Sequence, residues 1–391
     1  MIKHLFTPQA QDIHIVSGFE IKQKAKQYED RGLKVIHLEL GEPDFDTPEN
    51  IVRAGMQAME DGFTHYGPAL GLPAFREIIA KYVSSYKNIQ VDASNIVVTP
   101  GAKPILFYTI LSLVNPGDEV IIPSPGFMIY EAMTRFVGGI PVPLPMTEES
   151  NFRFSLTDLE ERLSSKTKLL ILNSPQNPTG GVLTREDLEG VADLVRDRDL
   201  MILSDEIYDR MIYTEETPVS IASLPGMQEK TIILDGFSKT YAMTGWRLGY
   251  GVMSQEAAAI FNPLIVSSNS CTASFTQMAG IEALTGDQTA VTDMIQEFRK
   301  RRDVMIEGLN SITGIRCVQP SGAFYAFPNI GSFGLSSQEM TDYLLDEAQV
   351  ATLPGSTFGE HGEGYIRLSY ANSVENLQEA LNRIETAVRK L

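Results

Sequence analysis

Five short apolar segments, separated by helix-like segments, restrict the folds open to this chain more than any other feature of its sequence. They are rich in Val, Ile and Leu, which is typical of buried strands. Short strands that alternate with helices predict right-handed crossovers and a mostly parallel sheet, with ligands at the carboxyl ends of the strands. The predicted strands lie at 96–99, 119–123, 168–172, 201–204 and 231–234, and predicted helices lie near 72–86, 105–113, 127–136 and 184–198.

The sequence changes character beyond residue 285, where the regular alternation ends. A chain of 391 residues is longer than one hydrophobic core usually serves, so two domains are expected. We predict an α/β fold with a large domain at 46–285 and a smaller α+β domain formed by 1–45 and 286–391. The smaller domain has predicted helices at 17–31, 290–309, 337–348 and from 373, and predicted strands at 35–40, 315–318, 323–327 and 365–369.

Composition argues against several classes of partner. Fifty acidic and 32 basic side chains give a net charge of −18, which disfavours binding to nucleic acid or to an anionic membrane. The two cysteines, Cys271 and Cys317, and the five histidines show neither disulfide nor metal-ligand spacing. The amino terminus lacks the apolar core of a signal peptide, and no apolar run approaches the ~20 residues of a membrane span. We therefore expect a cytoplasmic protein without a metal site.

The segment 235–249 carries the most informative pair of residues. Lys239 follows the last apolar strand of the series, and Arg247 lies eight residues further along. A desolvated lysine amine can condense with an aldehyde, and an arginine fork can bind two oxygens of a phosphate. A small molecule that carries both groups is pyridoxal phosphate. A surface turn with a solvated lysine and arginine is the alternative interpretation of this pair.

Two other loops that follow predicted strands carry residues suited to a phosphorylated ring. Gly101, Ala102 and Lys103 precede a helix, where backbone N–H groups would bind a phosphate, although an ordinary tight turn would have the same composition. Asn177 lies next to Pro178 in a loop rich in proline and glycine, and its carboxamide would suit the phenolic oxygen of a ring.

Asp205 and Arg367 are charged residues in apolar surroundings. A carboxylate at the end of the strand 201–204 could keep a pyridine nitrogen protonated, and a helix N-cap is the alternative role for Asp205. Arg367 lies between Ile366 and Leu368 in a predicted strand, where an unpaired guanidinium would be costly. Either a substrate carboxylate or an internal salt bridge would satisfy Arg367.

The segment 236–249 closely resembles the lysine motif of the class I and II pyridoxal-phosphate aminotransferases, which share the aspartate aminotransferase fold, called fold type I. Further motifs occur in the family's order and at suitable separations, so the resemblance covers nearly the whole chain. It implies a sheet of the seven-stranded type, flanked by helices, and a homodimer with active sites at the subunit interface. These motifs lie at 41–45, 66–67, 101–103, 177–180, 205–208, 354–359 and 367–369.

The resemblance implies roles for the residues around the ring of the cofactor. Lys239 would hold the cofactor covalently and would then carry the proton between the substrate Cα and the cofactor. Asp205 would pair with the ring nitrogen, while Asn177 and Tyr208 would bond the phenolic oxygen. Phe127 would stack on the ring, which requires only an aromatic face.

The resemblance also implies how the substrate and the phosphate are held. Arg367 would bind the α-carboxylate of the substrate, with help from the amide of Gly41 and from Asn177. The phosphate would be bound by Gly101, Ala102, Lys103, Ser238 and Arg247, and by Tyr66 from a second subunit.

Some positions depart from the pattern of the family. Gly236 stands where some relatives have a phosphate-binding serine, and Pro104 stands where glutamine is frequent. No second arginine for a dicarboxylate side chain can be identified. The segment 267–272, which resembles the stretch donated across the dimer, carries no charge. Neutral or aromatic amino acids are therefore favoured over dicarboxylic ones.

We predict an aminotransferase of EC 2.6.1 type, which exchanges the amino group of an L-amino acid with a 2-oxo acid by a ping-pong mechanism. A C–S lyase or another elimination enzyme on the same fold is the first alternative, because the same cofactor carbanion serves all these reactions. A cofactor-binding regulator without turnover is the second alternative. The complete set of lysine, aspartate and arginine argues against such a regulator.

Overall fold

A computed structural model of the chain describes residues 5–11, 13, 18–214 and 218–391. The helices are α1 (Pro8–Gln11), α2 (Gly18–Glu29), α3 (Glu49–Glu60), α4 (Pro73–Lys87), α5 (Lys103–Leu113), α6 (Ile129–Phe136), α7 (Leu156–Arg162), α8 (Arg185–Val195), α9 (Gln255–Ser268), α10 (Ser274–Thr285), α11 (Thr289–Ser311), α12 (Ser337–Tyr343) and α13 (Val374–Val388). The strands are β1 (Ile36–His37), β2 (Ile96–Thr99), β3 (Glu119–Ser124), β4 (Ile140–Pro145), β5 (Thr167–Asn173), β6 (Met201–Asp205), β7 (Thr231–Gly236), β8 (Gly249–Val252), β9 (Tyr325–Ala326), β10 (Val350–Ala351), β11 (Leu353–Pro354) and β12 (Ile366–Ser369).

The central sheet has the strand order β2-β8-β7-β6-β5-β3-β4. Its neighbours pair in parallel except at β8, which is antiparallel to both β2 and β7. Buried apolar residues from helices pack on both faces, such as Ile105 and Phe261 on one side and Val191 on the other. The predicted α/β fold with a mostly parallel seven-stranded sheet flanked by helices is therefore confirmed.

Two strands of this sheet had not been expected from the sequence. The edge strand β4 contains three prolines, which lower the strand signal and are tolerated because an edge leaves one row of N–H groups free. The strand β8 reads Gly-Tyr-Gly-Val, a glycine-rich composition that weakens strand propensity. A Cβ on Gly249 would lie 2.4 Å from the backbone nitrogen of Ala102, so a close backbone approach requires this glycine.

A second group of short strands lies outside the central sheet. The strands β9, β11 and β12 form a three-stranded sheet, and β1 pairs in parallel with β10. An aromatic core that includes Phe298, Phe324 and Tyr370 joins these strands to α11 and α13. The strands other than the central seven thus come from 36–37 and 325–369. The division into domains at 46–285 and at 1–45 with 286–391 stays a prediction.

Two strand predictions for this region were wrong in their extent. The strand at 35–40 pairs only over Ile36–His37, because the amide of Leu38 still bonds Ala351 while its carbonyl accepts the amide of Ser369. The chain here passes from one short sheet to another. The strand at 315–318 is reduced to a single bridge between Arg316 and Asn329. Within the described ranges, no helix combines the length and the apolar composition needed to cross a membrane.

Candidate active site

The loops that carry the predicted site residues meet at the carboxyl edge of the central sheet. The register pairs Asn173 with Asp205 and Asp205 with Leu234, so the ends of β5, β6 and β7 lie side by side. The loops that follow these strands carry Asn177, Tyr208 and Lys239. Parallel pairing therefore brings residues that are distant in sequence into one group, as the sequence predicted.

Lys239 lies at the centre of this group, and burial and nearby positive charges act on its amine. Its side chain is half-buried, and Nζ donates a hydrogen bond of 2.5 Å to the carbonyl of Gly41. Burial lowers the pKa of Lys239 to about 8, with opposition from the carboxylate of Glu42 and support from the nearby cations, such as Lys103. The neutral amine, which is the nucleophilic form, is thus accessible near physiological pH.

Asp205 is a buried carboxylate, 7% exposed, held by two donors. The hydroxyl of Tyr130 donates to Oδ2 at 2.6 Å, and the amide of Ile207 donates to Oδ1 at 3.3 Å. Burial raises the pKa of Asp205 to about 6, and the hydrogen bond from Tyr130 opposes this rise. Asp205 is therefore mainly ionised at neutral pH and is suited to a cationic ring nitrogen. The residues after it form a turn rather than a helix, so it does not act as a helix N-cap.

Arg367 is buried and has no carboxylate partner among the described residues. Nη1 donates to Oδ1 of Asn177 at 3.0 Å, and Nη2 donates to the carbonyl of Glu39 at 2.6 Å. Nε has no hydrogen-bond partner, although it is buried. The ring of Tyr325 lies 4.4 Å from the guanidinium carbon. The internal salt bridge considered as an alternative is absent from this part of the structure, and the guanidinium has capacity left for an anion.

Asn177 and Tyr208 are each fixed by a residue that the sequence analysis had not identified. The side chain of Asn173 accepts the amide of Asn177 at 3.0 Å and donates to the carbonyl of Asp205 at 3.1 Å, which ties the two loops together. The hydroxyls of Tyr208 and Tyr325 lie 2.7 Å apart. Tyr325 also restricts Gly41, because a Cβ at that position would lie 2.3 Å from the tyrosine oxygen.

Gly101 and Arg247 form a close backbone-to-side-chain contact. A Cβ on Gly101 would lie 2.1 Å from Nη2 of Arg247, and the positive φ of Gly101, +84°, also favours glycine. The other end of the guanidinium donates to the carbonyl of Thr244 at 2.8 Å. Burial and the charge of Arg247 lower the pKa of Lys103, whose Nζ lies 5.6 Å from the ring centre of Phe127. Gly101, Lys103 and Arg247 thus form a positively charged cradle that would suit a phosphate.

Three remaining predicted site residues occupy different positions. Ser238 is buried beside Lys239, and Phe127 is half-buried with its ring edge-on to Tyr130 at 5.6 Å. The side chain of Tyr66 is 90% exposed, so the fold of one chain does not bring it into the group. A Cβ on Gly236 would lie 3.0 Å from Cα of Gly249, which explains the glycine where a serine was expected.

The group fits pyridoxal phosphate on several independent features. A glycine-lined cationic cradle suits the phosphate, a buried carboxylate suits the ring nitrogen, and a lysine with a lowered pKa suits the aldehyde. Among the described residues, no cluster of His, Cys, Asp and Glu has the geometry of a metal site. His4 and His14, two of the five histidines without metal-ligand spacing, lie outside the described residues.

The family model for aminotransferase class I and II matches residues 34–384 of this chain. This match covers most of the sequence. The chain belongs to the class I and II aminotransferases. Members of this family depend on pyridoxal phosphate, so this aminotransferase uses that cofactor.

Two curated relatives and one solved structure illustrate the similarity. This aminotransferase is 43% identical to the aspartate aminotransferase of Pyrococcus abyssi, over 92% of its own chain and 93% of the relative. It is 42% identical to the aromatic-amino-acid aminotransferase 2 of Thermococcus litoralis, over 91% and 92% of the two chains. The crystal structure of an aromatic aminotransferase from Pyrococcus horikoshii matches with 41% identity and a TM-score of 0.89, over 94% of this chain and 99% of that one. The names of these relatives favour transamination of an amino acid over the elimination alternative.

Proposed function

We propose that this aminotransferase uses Lys239 as its proton carrier, Asp205 as the partner of the ring nitrogen and Arg367 as the anchor of the substrate carboxylate. The observation that carries this proposal is the position of Lys239. Its amine lies at the carboxyl edge of the sheet, and burial lowers its pKa to about 8. An amine with this pKa has a substantial neutral fraction near neutral pH and can accept a proton there, whereas a solvated lysine would stay almost fully charged.

Pyridoxal phosphate supplies an aldehyde that condenses with amines and an aromatic ring that accepts electrons from the substrate carbon. The chain's own residues supply proton transfer and orientation. Nζ of Lys239 would take the proton from the substrate Cα and pass it to the cofactor, while the nearby carbonyl of Gly41, 2.5 Å from Nζ, orients the amine. Asp205 supports a positive charge on the ring nitrogen, and Tyr130 keeps the carboxylate in place at 2.6 Å.

Arg367 and Asn177 form the part of the site that recognises the α-carboxylate. Their mutual hydrogen bond of 3.0 Å fixes the guanidinium plane, and the unpartnered Nε leaves one donor free. The backbone amide of Gly41 is the third group assigned to the carboxylate. The carbonyl of the same residue accepts the hydrogen bond from Lys239. Asn177 and Tyr208 are assigned to the phenolic oxygen, and Phe127 to the face of the ring.

The phosphate site is proposed to be shared between two subunits. Its residues within one chain are Gly101, Ala102, Lys103, Ser238 and Arg247. The partner subunit's Tyr66 is assigned as the additional donor, because Tyr66 extends into solvent from its own chain. The proposed assembly is therefore a homodimer.

A neutral or aromatic amino acid is the proposed amino donor, with a 2-oxo acid as acceptor. The uncharged segment 267–272 and the aromatic rings of Tyr325 and Phe358 around Arg367 support this choice. The relatives' names include both aspartate and aromatic amino acids, so they do not separate the two classes. Steady-state kinetics with phenylalanine, alanine and aspartate as donors will test this choice. A higher kcat/KM for aspartate than for both others would overturn it.

A half-reaction experiment tests the proposed exchange. The absorbance band of the bound cofactor will shift when a donor amino acid is added, and it will return when a 2-oxo acid follows. Release of pyruvate and ammonia without any acceptor would instead favour the elimination alternative. A bound cofactor that responds to no member of an amino-acid panel would favour the regulator.

The two free cysteines and the acidic composition support a cytoplasmic location. We assign the protein to that compartment as part of the same proposal. The domain boundaries at 46–285 and at 1–45 with 286–391 belong to it as well. Limited proteolysis of the purified protein near residues 45 and 286 is the direct check on these boundaries.

A further inference from the structure

Lys87 is a buried cation that none of the roles above uses. It is the last residue of α4 and is 5% exposed. Nζ lies 2.8 Å from Oε2 of Glu206 and 3.2 Å from Oδ2 of Asp235, and it also donates to Oδ2 of Asp209. We call these four residues the Lys87 cluster. One positive charge thus faces three carboxylates in the interior of the protein.

The three carboxylates lie on the two segments that carry the proposed catalytic residues. Glu206 and Asp209 lie on the loop that follows Asp205, the last residue of β6, and this loop also holds Tyr208. Asp235 lies in β7, four residues before Lys239. The amide of Glu206 bonds the carbonyl of Leu234, which is the neighbour of Asp235. Lys87 therefore joins, from the end of α4, the loop after β6 to the carboxyl end of β7.

The charges within the Lys87 cluster do not balance. Three buried carboxylates and one ammonium leave an excess of two negative charges, which is costly in an interior unless protons are held. Burial and the charge of Asp235 raise the pKa of Asp209 to about 7, and burial raises the pKa of Asp235 as well. The cluster thus takes up a proton near neutral pH.

The surroundings of the cluster supply neutral donors. Ser204 and Ser220 donate to Oε1 of Glu206 at 2.7 and 2.6 Å, and Tyr250 donates to Oδ2 of Asp235 at 2.9 Å. The other titratable groups that face the cluster are Tyr82, Tyr86, Arg210 and Tyr241. Burial raises the pKa of each of these tyrosines far above neutrality, and Arg210 stays charged. Asp209 is therefore the group of the cluster whose charge changes near pH 7.

We propose that the Lys87 cluster is a positioning element that fixes the loop of Asp205 and Tyr208 against the loop of Lys239, and that its protonation sets how firmly it does so. This inference rests on the proposed roles of Asp205 and Lys239. Lys87 acts through these residues and does not itself contact the cofactor. The inference concerns charge balance, so it can be separated from a loss of packing.

The test measures the dissociation constant of pyridoxal phosphate for four proteins at pH 6 and at pH 8.5. The variants are Lys87→Met, Lys87→Met with Asp209→Asn, and Lys230→Met. The last is the matched control, because Lys230 immediately precedes β7, at the end opposite the cluster, and donates to the carbonyls of Val195 and Arg196. The midpoint of the pH-dependent absorbance of the bound cofactor is recorded in the same samples.

Lys87→Met will weaken binding by more than about tenfold at pH 8.5, where three carboxylates have lost their counter-ion, and by much less at pH 6, where Asp209 holds a proton. The double variant will bind more tightly than Lys87→Met at pH 8.5, because it restores the charge excess of the native cluster. For Lys230→Met, the ratio of its dissociation constant to that of the native protein will be the same at pH 6 and at pH 8.5.

Equal weakening by Lys87→Met at both pH values, or additive losses in the double variant, would overturn the inference and leave Lys87 with a packing role only. If Lys87→Met does not fold, Asp209→Asn alone decides the matter. It mimics the protonated cluster, so it will reduce the pH dependence of binding near pH 7 to the part that Asp205 and Lys239 contribute. An unchanged pH dependence would then overturn the inference. Failure of the proposed function is a separate result, since the cofactor band of the native protein would then not shift when amino acids are added.

Discussion

At the scale of single residues, the chemistry of the site depends on a few buried groups whose protonation the fold controls. Asp205 and Lys239 have their pKa values moved towards neutrality from opposite directions, to about 6 and about 8. Burial is the largest cause in both cases, because it disfavours the charged form of each group. Between these two values the carboxylate is mainly ionised, while a growing fraction of the amine is neutral.

Tyr130→Phe tests how the protonation of Asp205 is set. The hydroxyl of Tyr130 donates to the carboxylate and lowers its pKa, so removal of this donor will raise the pKa of Asp205 above about 6. Because the ionised carboxylate is the active form, the acid limb of the kcat pH profile will move to higher pH. Tyr343→Phe is the control, since Tyr343 donates to a carbonyl in α13. An acid limb that stays in place would contradict the assignment of Asp205.

Arg367→Lys tests recognition of the substrate carboxylate. A lysine cannot reproduce two parallel hydrogen bonds or keep the contacts with Asn177 and the Glu39 carbonyl. We expect KM for the amino donor to rise by about tenfold to a hundredfold, as a lost charge-assisted pair is worth roughly 1.5–3 kcal/mol. Arg383→Lys is the control, since Arg383 pairs with Glu379 within α13. An unchanged KM would show that another group binds the carboxylate.

The residues that the sequence failed to identify share one property. Tyr130 and Tyr325 contact Asp205 and Tyr208 from other elements, and Asn173, at the end of β5, donates to the carbonyl of Asp205 at the end of β6. The sequence could identify Lys239, Asp205 and Arg367 because each lies in an apolar stretch or next to a strand end. Supporting residues depend on which elements meet in space, and this information becomes available only with the strand order.

At the scale of elements, close backbone packing explains why the strand β8 was not recognised in the sequence. The strand β8 was missed because its two glycines lower the strand signal, yet Gly249 is needed where β8 passes Ala102. Thr47 lies just before α3, where a threonine often caps a helix, but its hydroxyl donates to the carbonyl of Ala242 at 2.7 Å and accepts the indole N–H of Trp246 at 3.0 Å. A tertiary partner here replaces the local one, which a capping rule cannot foresee.

Gly101→Ala tests the phosphate cradle at the start of α5. The alanine Cβ would meet Nη2 of Arg247 at 2.1 Å and would also have to adopt a φ of +84°. We expect the dissociation constant of pyridoxal phosphate to rise by about tenfold or more, because the guanidinium must move away from the loop. The measurement is a titration of the apo-protein with the cofactor, followed by absorbance.

Gly32→Ala is the matched control for this prediction. Gly32 has the same φ of +84°, but a Cβ there would have nothing within 4 Å. Both variants will lose about 1 kcal/mol of unfolding free energy through backbone strain, and only Gly101→Ala will lose affinity for the cofactor. Equal affinities of the two variants would show that Arg247 does not depend on this glycine.

At the scale of the whole molecule, the proposed dimer follows from a residue that one chain cannot use. The side chain of Tyr66 is 90% exposed, although its motif resembles a phosphate-binding one. The fold class could be predicted from strand and helix alternation, because that pattern records which faces are buried. A dimer is much harder to predict from a single sequence. The sign of it here is the motif of Tyr66, whose side chain has no binding site within its own chain.

Subunit mixing tests this arrangement. The variants Tyr66→Ala and Lys239→Ala will each be impaired, but a mixed dimer contains one site with an intact Lys239 and the partner subunit's intact Tyr66. We expect the activity of the refolded mixture to exceed the sum of the two separate variants. Activity that only equals the sum would contradict a site shared between subunits.

The most direct test of the account is to locate the covalent bond to the cofactor. Reduction of the holoenzyme with borohydride, followed by digestion and mass spectrometry, will fix the cofactor on the residue that holds it. The account predicts a single labelled peptide, with the modification on Lys239, and no labelled peptide from Lys239→Ala. A label on Lys103 or on any other lysine of the native protein would contradict it.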